Sequence, residues 1–274
     1  LKINETGNLY IGETGGSGLS FNVKRNAFIS NKGNIYFNSI NFTNTNSLLA
    51  IYTFSNDSNV TFKGFADTGD TFVYIQNKTN GVMNFQNGYA SAKNMVLTNC
   101  GVMNFNGPVN LQGGSIVNSR DIYFQVSSFE FQSGSTKIEN YGTMDFSPVS
   151  TTPVFFGMGP SDKFYNEGVV NMENFFFTSG VLSGPTASNR EGYINLTVNP
   201  TNKHILSSVT GNINFLNTSG TSDVATIFWN PPTLDPTVTF DCASKGTCIA
   251  PPITAGDSCP DAGGNMPKGI IHFN

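Results

Sequence analysis

A short phrase that recurs along the chain constrains its fold more than any other sequence feature. It opens with Asn, passes through two residues that often include Gly, and closes with an aliphatic residue or Met, a polar residue and Phe. The clear copies are Asn31–Phe37, Asn56–Phe62, Asn99–Phe105, Asn118–Phe124, Asn140–Phe146 and Asn166–Met172, and looser copies end at Ile11, Phe85, Leu196 and Phe215. Successive copies end 19 to 26 residues apart. Ten such repeats are typical of a solenoid.

The close of the phrase predicts a β-strand. In Ile35-Tyr36-Phe37 the first and third side chains share one face, and the middle side chain points to the other. The segment is too short for a helix, and the L-x-x-L-x-L spacing of a leucine-rich repeat is missing. We therefore predict an all-β protein, a parallel β-helix of roughly nine to ten coils, in which each strand pairs with its equivalent in the next coil.

Stacking the copies gives two columns of inward side chains. The first is Leu9, Ile35, Val60, Met83, Met103, Ile122, Met144, Val170, Ile194 and Ile213, and the second is Ile11, Phe37, Phe62, Phe85, Phe105, Phe124, Phe146, Met172, Leu196 and Phe215. Phe rings at the coil spacing can stack with an offset, and they bury a large apolar area. We expect these columns to form the core.

The Asn that opens each clear copy is predicted to lie in a turn, where stacked amides can form a hydrogen-bonded ladder. These residues are Asn31, Asn56, Asn99, Asn118, Asn140 and Asn166. Glycines recur just after them, at Gly33, Gly101, Gly142, Gly168 and Gly211, as tight turns require. We interpret both the Asn and the Gly residues as structural, with a role in the fold rather than in ligand binding.

The repeat fades after Phe215, where proline and cysteine become frequent. We predict a parallel β-helix over residues 1–215 and a small disulfide-stapled β cap or appended β domain over 216–274. Within the second part, Thr237–Asp241 and Gly269–Phe273 resemble strands. A solenoid end exposes apolar surface, so a cap has a structural reason to exist.

Four cysteines, Cys100, Cys242, Cys248 and Cys259, indicate disulfides in a secreted chain. They contain no C-x-x-C spacing and the chain has 2 His, so neither a zinc site nor another metal site is expected. Three pairings exist; Cys242–Cys248 is favoured as a small loop, and a buried thiol at Cys100 is the alternative. The chain opens without a signal peptide, and we expect it to begin after processing.

Charge and hydropathy exclude several classes of partner. Charged residues make up 12% of the chain, the net charge is −4, and the 14 Lys and Arg do not cluster. Nucleic-acid binding needs a basic face, so no nucleic-acid partner is expected. No run approaches the ~18 apolar residues of a membrane span, so we expect no membrane insertion. We predict a monomer without a cofactor.

Catalysis is not expected either. Glycoside hydrolysis needs two carboxylates roughly 5–9.5 Å apart. The outward positions between the two core columns are Tyr10, Tyr36, Thr61, Asn84, Asn104, Tyr123, Asp145, Asn171, Asn195 and Asn214. They contain one carboxylate, Asp145, and only Glu167 and Glu173 in the next coil are candidates to join it. A polysaccharide lyase or hydrolase centred on Asp145 therefore stays the alternative.

The same outward positions predict a flat, neutral, hydrogen-bonding surface suited to carbohydrate or general surface contact. The candidate ligand-binding residues are Tyr36, Asn84, Asn104, Tyr123, Asp145 and Asn171. Residues 149–165 and 173–190 interrupt the repeat, and we interpret them as mixed strands and loops that contribute to recognition. The alternative is that Tyr and Thr simply favour exposed strands, as in a structural wall spacer without a ligand.

Four phrases, Asn31–Phe37, Asn99–Phe105, Asn140–Phe146 and Asn166–Met172, together with the segment Cys242–Cys259, carry a family resemblance. The chain resembles the N-terminal domain of hyphally regulated cell-wall proteins, which include adhesin-like wall proteins of pathogenic yeasts. The resemblance implies a right-handed β-helix followed by a small β-sandwich-like domain. It also implies a secreted, extracellular, lipid-anchored fungal wall protein whose stalk and anchor signal lie beyond Asn274. Such proteins are associated with attachment to host or abiotic surfaces and with biofilm growth.

Overall fold

The computed structural model describes residues 1–11, 20–23, 27–43, 50–68, 71–87, 89–91, 95–111, 113–125, 128–131, 136–146, 155–158, 160–172, 175–177, 180–187, 190, 192–196, 204–211, 213–217 and 227–234. Within these ranges the regular elements are β-strands, without an α-helix, and the strand pairs are parallel. The predicted all-β parallel β-helix is confirmed.

The strands are β1 (Lys2–Ile3), β2 (Asn8–Ile11), β3 (Ser20–Val23), β4 (Ala27–Asn31), β5 (Asn34–Phe37), β6 (Ser39–Thr43), β7 (Ala50–Asn56), β8 (Asn59–Phe62), β9 (Phe65–Thr68), β10 (Thr71–Asn77), β11 (Val82–Phe85), β12 (Tyr89–Ser91), β13 (Met95–Asn99), β14 (Val102–Phe105), β15 (Val109–Leu111), β16 (Gly114–Asn118), β17 (Asp121–Phe124), β18 (Ser128–Phe131), β19 (Thr136–Asn140), β20 (Thr143–Phe146), β21 (Phe155–Gly157), β22 (Lys163–Asn166), β23 (Val169–Met172), β24 (Phe175–Phe177), β25 (Val181–Ser183), β26 (Gly192–Leu196), β27 (His204–Thr210), β28 (Ile213–Asn217) and β29 (Ile227–Leu234).

Three strands recur in each coil. The second of the three is the close of the phrase, and its copies β2, β5, β8, β11, β14, β17, β20, β23, β26 and β28 form a 10-stranded sheet, here named the phrase sheet. The first strand of each coil, such as β13, β16, β19 and β22, pairs with its equivalents and is here named the ladder strand. About five turns form the most completely described part of the solenoid, fewer than the nine to ten coils that the repeat predicts.

The two inward columns form the core, as predicted, wherever their side chains are described. From Ile35 to Ile194 the first column is buried, and from Phe37 to Met172 the second column is buried. The Phe rings are stacked nearly parallel: the ring centroids of Phe85 and Phe105 are 4.6 Å apart and their planes are inclined by 6°. Offset stacking at the coil spacing is the favoured geometry of aromatic pairs.

The last coil departs from the predicted register. The repeat pairs Ile194 with Ile213, whereas the structure pairs Ile194 with Phe215 and Gly192 with Ile213. A Cβ on Gly192 would lie 2.1 Å from the Asn166 carbonyl oxygen, so this position, which pairs with Ile213, has room only for glycine. A two-residue shift preserves the alternation of a strand, which a one-residue shift would not. Asn195 consequently pairs with Leu216 rather than with Asn214.

Parallel pairing continues beyond the predicted end of the β-helix. Strand β29 pairs with β27 through His204 and Ile227, so solenoid-type pairing extends to Leu234. Residues 235–274, with the strands predicted at 237–241 and 269–273, lie outside the described residues. The cap over 216–274 stays a prediction.

A ladder of buried asparagine amides runs along the ends of the ladder strands. Nδ2 of each Asn donates to Oδ1 of the next Asn at 2.8–2.9 Å. The members are Asn31, Asn56, Asn77, Asn99, Asn118, Asn140 and Asn166, each no more than 1% exposed. The predicted amide ladder is confirmed, and it has one member more than the sequence suggested.

Each ladder amide also holds the backbone of two coils. Nδ2 of Asn99 lies 3.0 Å from the carbonyl oxygen of Gly101 in its own turn and 3.0 Å from that of Asp121 in the next coil. Oδ1 of Asn99 accepts from the Gly101 amide at 3.2 Å. Because a buried polar group is costly without a partner, this mutual satisfaction favours one coil register over the alternatives.

The predicted turn glycines are required mainly because the backbones of successive coils stack closely, rather than because the chain adopts a left-handed conformation. A Cβ on Gly142 would lie 2.1 Å from the Arg120 carbonyl oxygen, and one on Gly168 would lie 2.0 Å from that of Gly142. Of the five predicted turn glycines, only Gly211 has a positive φ, at 76°. Turn backbones of successive coils therefore approach so closely that a side chain has no room.

Cys100 lies in the turn between β13 and β14, is 3% exposed and forms a disulfide bond. The alternative of a free buried thiol is therefore wrong. Its partner is one of the three remaining cysteines, Cys242, Cys248 and Cys259, which lie outside the described residues. The predicted Cys242–Cys248 pair would leave Cys259 for Cys100, and this connectivity stays a prediction.

Replacing a ladder residue should cost much more stability than replacing a surface amide. Asn118→Ala removes the buried oxygen that accepts from the Asn99 amide, and it removes the amide that donates to the Asn140 oxygen. We expect a loss of about 2–4 kcal/mol in the free energy of unfolding in urea. Asn104→Ala removes a half-buried amide that donates to Asn84, and it should cost below about 1 kcal/mol. Equal costs would contradict a structural role for the ladder.

Candidate functional site

The phrase sheet brings the six candidate residues into one column on its outer face. Its register aligns Tyr36, Thr61, Asn84, Asn104, Tyr123, Asp145, Asn171 and Asn195 on consecutive strands. These eight residues are here named the outer column. Their side chains are at least partly exposed, and Tyr123 is the most open at 37%. Parallel strands lie roughly 4.8 Å apart, so the column is a regular row of polar and aromatic groups.

Amides of the outer column bind one another. Asn104 Nδ2 donates to Asn84 Oδ1 at 2.8 Å, and Asn195 Nδ2 donates to Asn171 Oδ1 at 2.7 Å. Asn171 Nδ2 donates to Asp145 Oδ2 at 3.4 Å. These bonds orient the amides along the column. The rings of Tyr36 and Tyr123 therefore offer the larger surface to a ligand.

The Tyr123 hydroxyl stays protonated to a higher pH than an ordinary tyrosine does, because its pKa is raised. Partial burial raises the pKa of its hydroxyl, and the negative charges of Asp121 and Asp145 raise that pKa further. At neutral pH the hydroxyl is therefore a neutral donor and acceptor, suited to hydrogen-bonding rather than ionic contacts.

The carboxylates considered for catalysis have other partners. Oε2 of Glu167 accepts from the Tyr165 hydroxyl at 2.7 Å, and Oε1 of Glu167 forms an ion pair with Arg190. Asp145 accepts from Asn171. Glu167 thus belongs to a neighbouring cluster on the ladder-strand side, and Glu173 lies outside the described residues.

In the part of the chain that the structure describes, no group of three or more His, Cys, Asp and Glu is placed to hold a metal ion. The described ranges include no helix with the length and apolar character needed to cross a membrane.

The two interrupting segments are partly described. Within 149–165 the structure has β21, and within 173–190 it has β24 and β25; all three continue the parallel stacking. The runs around Phe156 and Phe176 therefore supply strands of the solenoid. Residues 158, 160–165, 180, 184–187 and 190 of these segments are also described, and their other positions lie outside the described residues.

A second cluster, which the sequence analysis missed, lies at the ends of β19 and β22. It contains Lys137, Glu139, Tyr141, Tyr165, Glu167 and Arg190 and is here named the tyrosine patch. The ring centroids of Tyr141 and Tyr165 are 5.7 Å apart, with planes inclined by 51°. The sequence signal was present: Tyr141 directly follows one ladder residue, Asn140, and Tyr165 directly precedes the next, Asn166.

Ion pairs and charge effects on the tyrosine pKa values connect the members of the tyrosine patch. Lys137 Nζ pairs with Glu139 Oε1 at 2.6 Å. Burial raises the pKa of Tyr141, the charges of Glu139 and Glu167 raise it further, and Lys137 and Arg190 lower it. Burial also raises the pKa of Tyr165 strongly, and the hydrogen bond to Glu167 adds to this. Both hydroxyls are therefore neutral at physiological pH.

Comparisons with models of protein families, with curated proteins and with solved structures found no match.

The raised pKa of Tyr165 predicts a specific loss of stability in alkali. The folded state keeps the proton of Tyr165 while the unfolded chain releases it at about pH 10, so this contribution is complete below about pH 10 and is lost as the pH rises toward the folded-state pKa. Unfolding free energies measured by urea between pH 8 and 11 should fall less steeply for Tyr165→Phe than for the unmodified chain. Identical slopes would contradict this assignment.

Proposed function

We propose that this chain is a non-catalytic, adhesin-type domain of a secreted fungal wall protein that mediates attachment to host or abiotic surfaces and contributes to biofilm growth. The observation that carries the proposal is the outer column, in which Tyr36 and Tyr123 stand in register with neutral amides on one sheet face. Its polar groups are mostly uncharged, as are the hydroxyls of a sugar and the groups of many abiotic surfaces.

Rigidity supports the same proposal. The outer column lies on strands whose opposite faces carry the buried Phe stack, with Phe37 and Phe124 each no more than 1% exposed. A surface that is fixed before contact loses less conformational entropy on binding. Many weak, regularly spaced contacts can then act together on an extended surface, as in multivalent attachment.

The family resemblance supports the location. The repeated Asn–Phe phrases and the cysteine segment resemble hyphally regulated cell-wall proteins, and Cys100 is oxidised, which fits an extracellular compartment. Both observations support our proposal that the domain lies outside the cell, at the wall.

Removing the two rings of the outer column should weaken attachment. Yeast cells that display residues 1–274 are to be counted after washing on plastic and on epithelial cells. We expect the double substitution Tyr36→Ala and Tyr123→Ala to reduce the adherent fraction about fivefold, because a few aromatic residues usually carry most of the binding free energy. Free sugars added as competitors separate lectin-like recognition from general surface attachment.

The matched control is Tyr74→Ala. Tyr74 is a half-buried tyrosine of a ladder strand, outside both the outer column and the tyrosine patch. It should leave attachment unchanged. If the unmodified domain confers no attachment to either surface, the proposed function is wrong and a structural spacer is favoured. Unchanged attachment of the double variant would place the contact elsewhere on the domain.

A further inference from the structure

The tyrosine patch has an aromatic surface that the fold does not require. At the position after each ladder residue, other coils have Lys32, Asp57, Lys78, Cys100, Ser119 and Glu167. At the position before it, they have Ser30, Ser55, Gln76, Thr98, Val117 and Glu139. Charged, polar and small residues all suit these positions, so the solenoid does not need a tyrosine at either. Tyr141 and Tyr165 nevertheless meet on neighbouring coils.

The two rings are accessible. Tyr141 and Tyr165 are both half-buried, so each ring has part of its surface in solvent. Their planes are inclined by 51°, which gives a ligand two apolar surfaces that meet at an angle. A sugar ring has an apolar face of C–H groups, and such a face can pack on an aromatic ring.

The hydroxyls of the two tyrosines differ in what they can offer a ligand. The Tyr165 hydroxyl donates to Glu167 at 2.7 Å. The Tyr141 hydroxyl has no hydrogen-bond partner among the described residues, and it can therefore both donate to and accept from a ligand. Arg190 is 53% exposed and adds planar donors at the side of the patch.

The charges of the patch favour a neutral ligand. Lys137 is paired with Glu139, and Arg190 is paired with Glu167, so the four charges sum to zero. Because each cation is paired with a carboxylate, the patch has no net charge that would attract an anionic polymer such as a polyuronate, or a cation. A neutral molecule with many hydroxyls remains the best match to this rim of paired charges and hydroxyl groups.

The patch is held rigidly by the asparagine ladder. Asn140, which precedes Tyr141, donates to Asn166, which follows Tyr165, at 2.9 Å. The ladder thus fixes the backbone beside both rings, and a binding surface built on fixed strands is preorganised.

We propose that the tyrosine patch is a binding site for a neutral saccharide. One sugar ring packs its C–H face on Tyr141, and its hydroxyls reach the Tyr141 hydroxyl and the guanidinium of Arg190. This inference rests on the proposed function and deepens it by naming a ligand class. It places the saccharide on the ladder-strand side, away from the outer column.

Calorimetric titration of the purified 274-residue chain tests the proposal. The probes are a linear glucan hexasaccharide, a mannan hexasaccharide and, as the anionic comparison, a galacturonan hexasaccharide. We expect binding of at least one neutral probe and weaker binding of the galacturonan. Tyr141→Ala should lower the affinity for the neutral probe about tenfold. Tyr141→Phe should lower this affinity about threefold, because it removes only the hydroxyl.

Two further variants serve as a control and as an independent test of the site. Tyr74→Ala is the matched control and should bind as the unmodified chain does. Arg190→Gln should weaken binding about tenfold through loss of charge-assisted donors, and it remains informative if Tyr141→Ala fails to fold, which circular dichroism would show. No binding of either neutral probe, unchanged affinity in the Tyr141 and Arg190 variants, or a preference for galacturonan would overturn the proposal.

The failure of this inference can be told apart from failure of the proposed function. Attachment that is lost in the Tyr36 and Tyr123 double variant, combined with sugar affinities unaffected by Tyr141→Phe and Arg190→Gln, would reject the saccharide site and leave the adhesin function standing. Displayed cells that attach to nothing would reject the function itself.

Discussion

The buried asparagine ladder is the interaction on which the rest of this structure depends. Apolar side chains alone leave a parallel strand free to slip by two residues, because the inward face stays inward. The last coil, where Ile213 pairs with Gly192, shows that such a shift is tolerated once the ladder has ended at Asn166. Where ladder amides are present, a slip would leave each without its buried partners, and the register is fixed.

The coil register that the buried ladder fixes also determines where the surface residues lie relative to one another. Along the seven ladder residues each coil is held at the strand spacing, so a residue repeated in the sequence is repeated in space. The outer column and the tyrosine patch both result from this. Neither needs a folded pocket, and both place neutral groups and aromatic rings on strands that cannot move independently. The proposed contact with extended ligands and surfaces rests on these two fixed surfaces, in a chain with only 12% charged residues.

The features that depend on the periodicity of the repeat could be predicted from the sequence. Those that fall where the length of the repeated phrase varies could not. The Phe column and six ladder residues follow from copies of equal length, whereas Asn77 was missed because its turn to Val82 is two residues longer. The function of Gly142 was attributed to a tight turn, but the constraint is the Arg120 carbonyl oxygen of the coil beside it. The tyrosine patch was missed for a related reason. It combines the residue after one ladder position with the residue before the next, and only the stacked register brings them together.

Side-chain amide exchange of the ladder tests the central claim most directly. With uniform ¹⁵N labelling, the side-chain NH₂ groups of the ladder can be followed in D₂O beside the partly exposed amides of Asn84 and Asn104. If the ladder fixes the coils, its amide protons should exchange only when the solenoid opens, orders of magnitude more slowly than those of the outer column. Exchange of Asn77, Asn99 and Asn118 at the rate of the surface amides would show that the ladder opens freely, and would contradict the account.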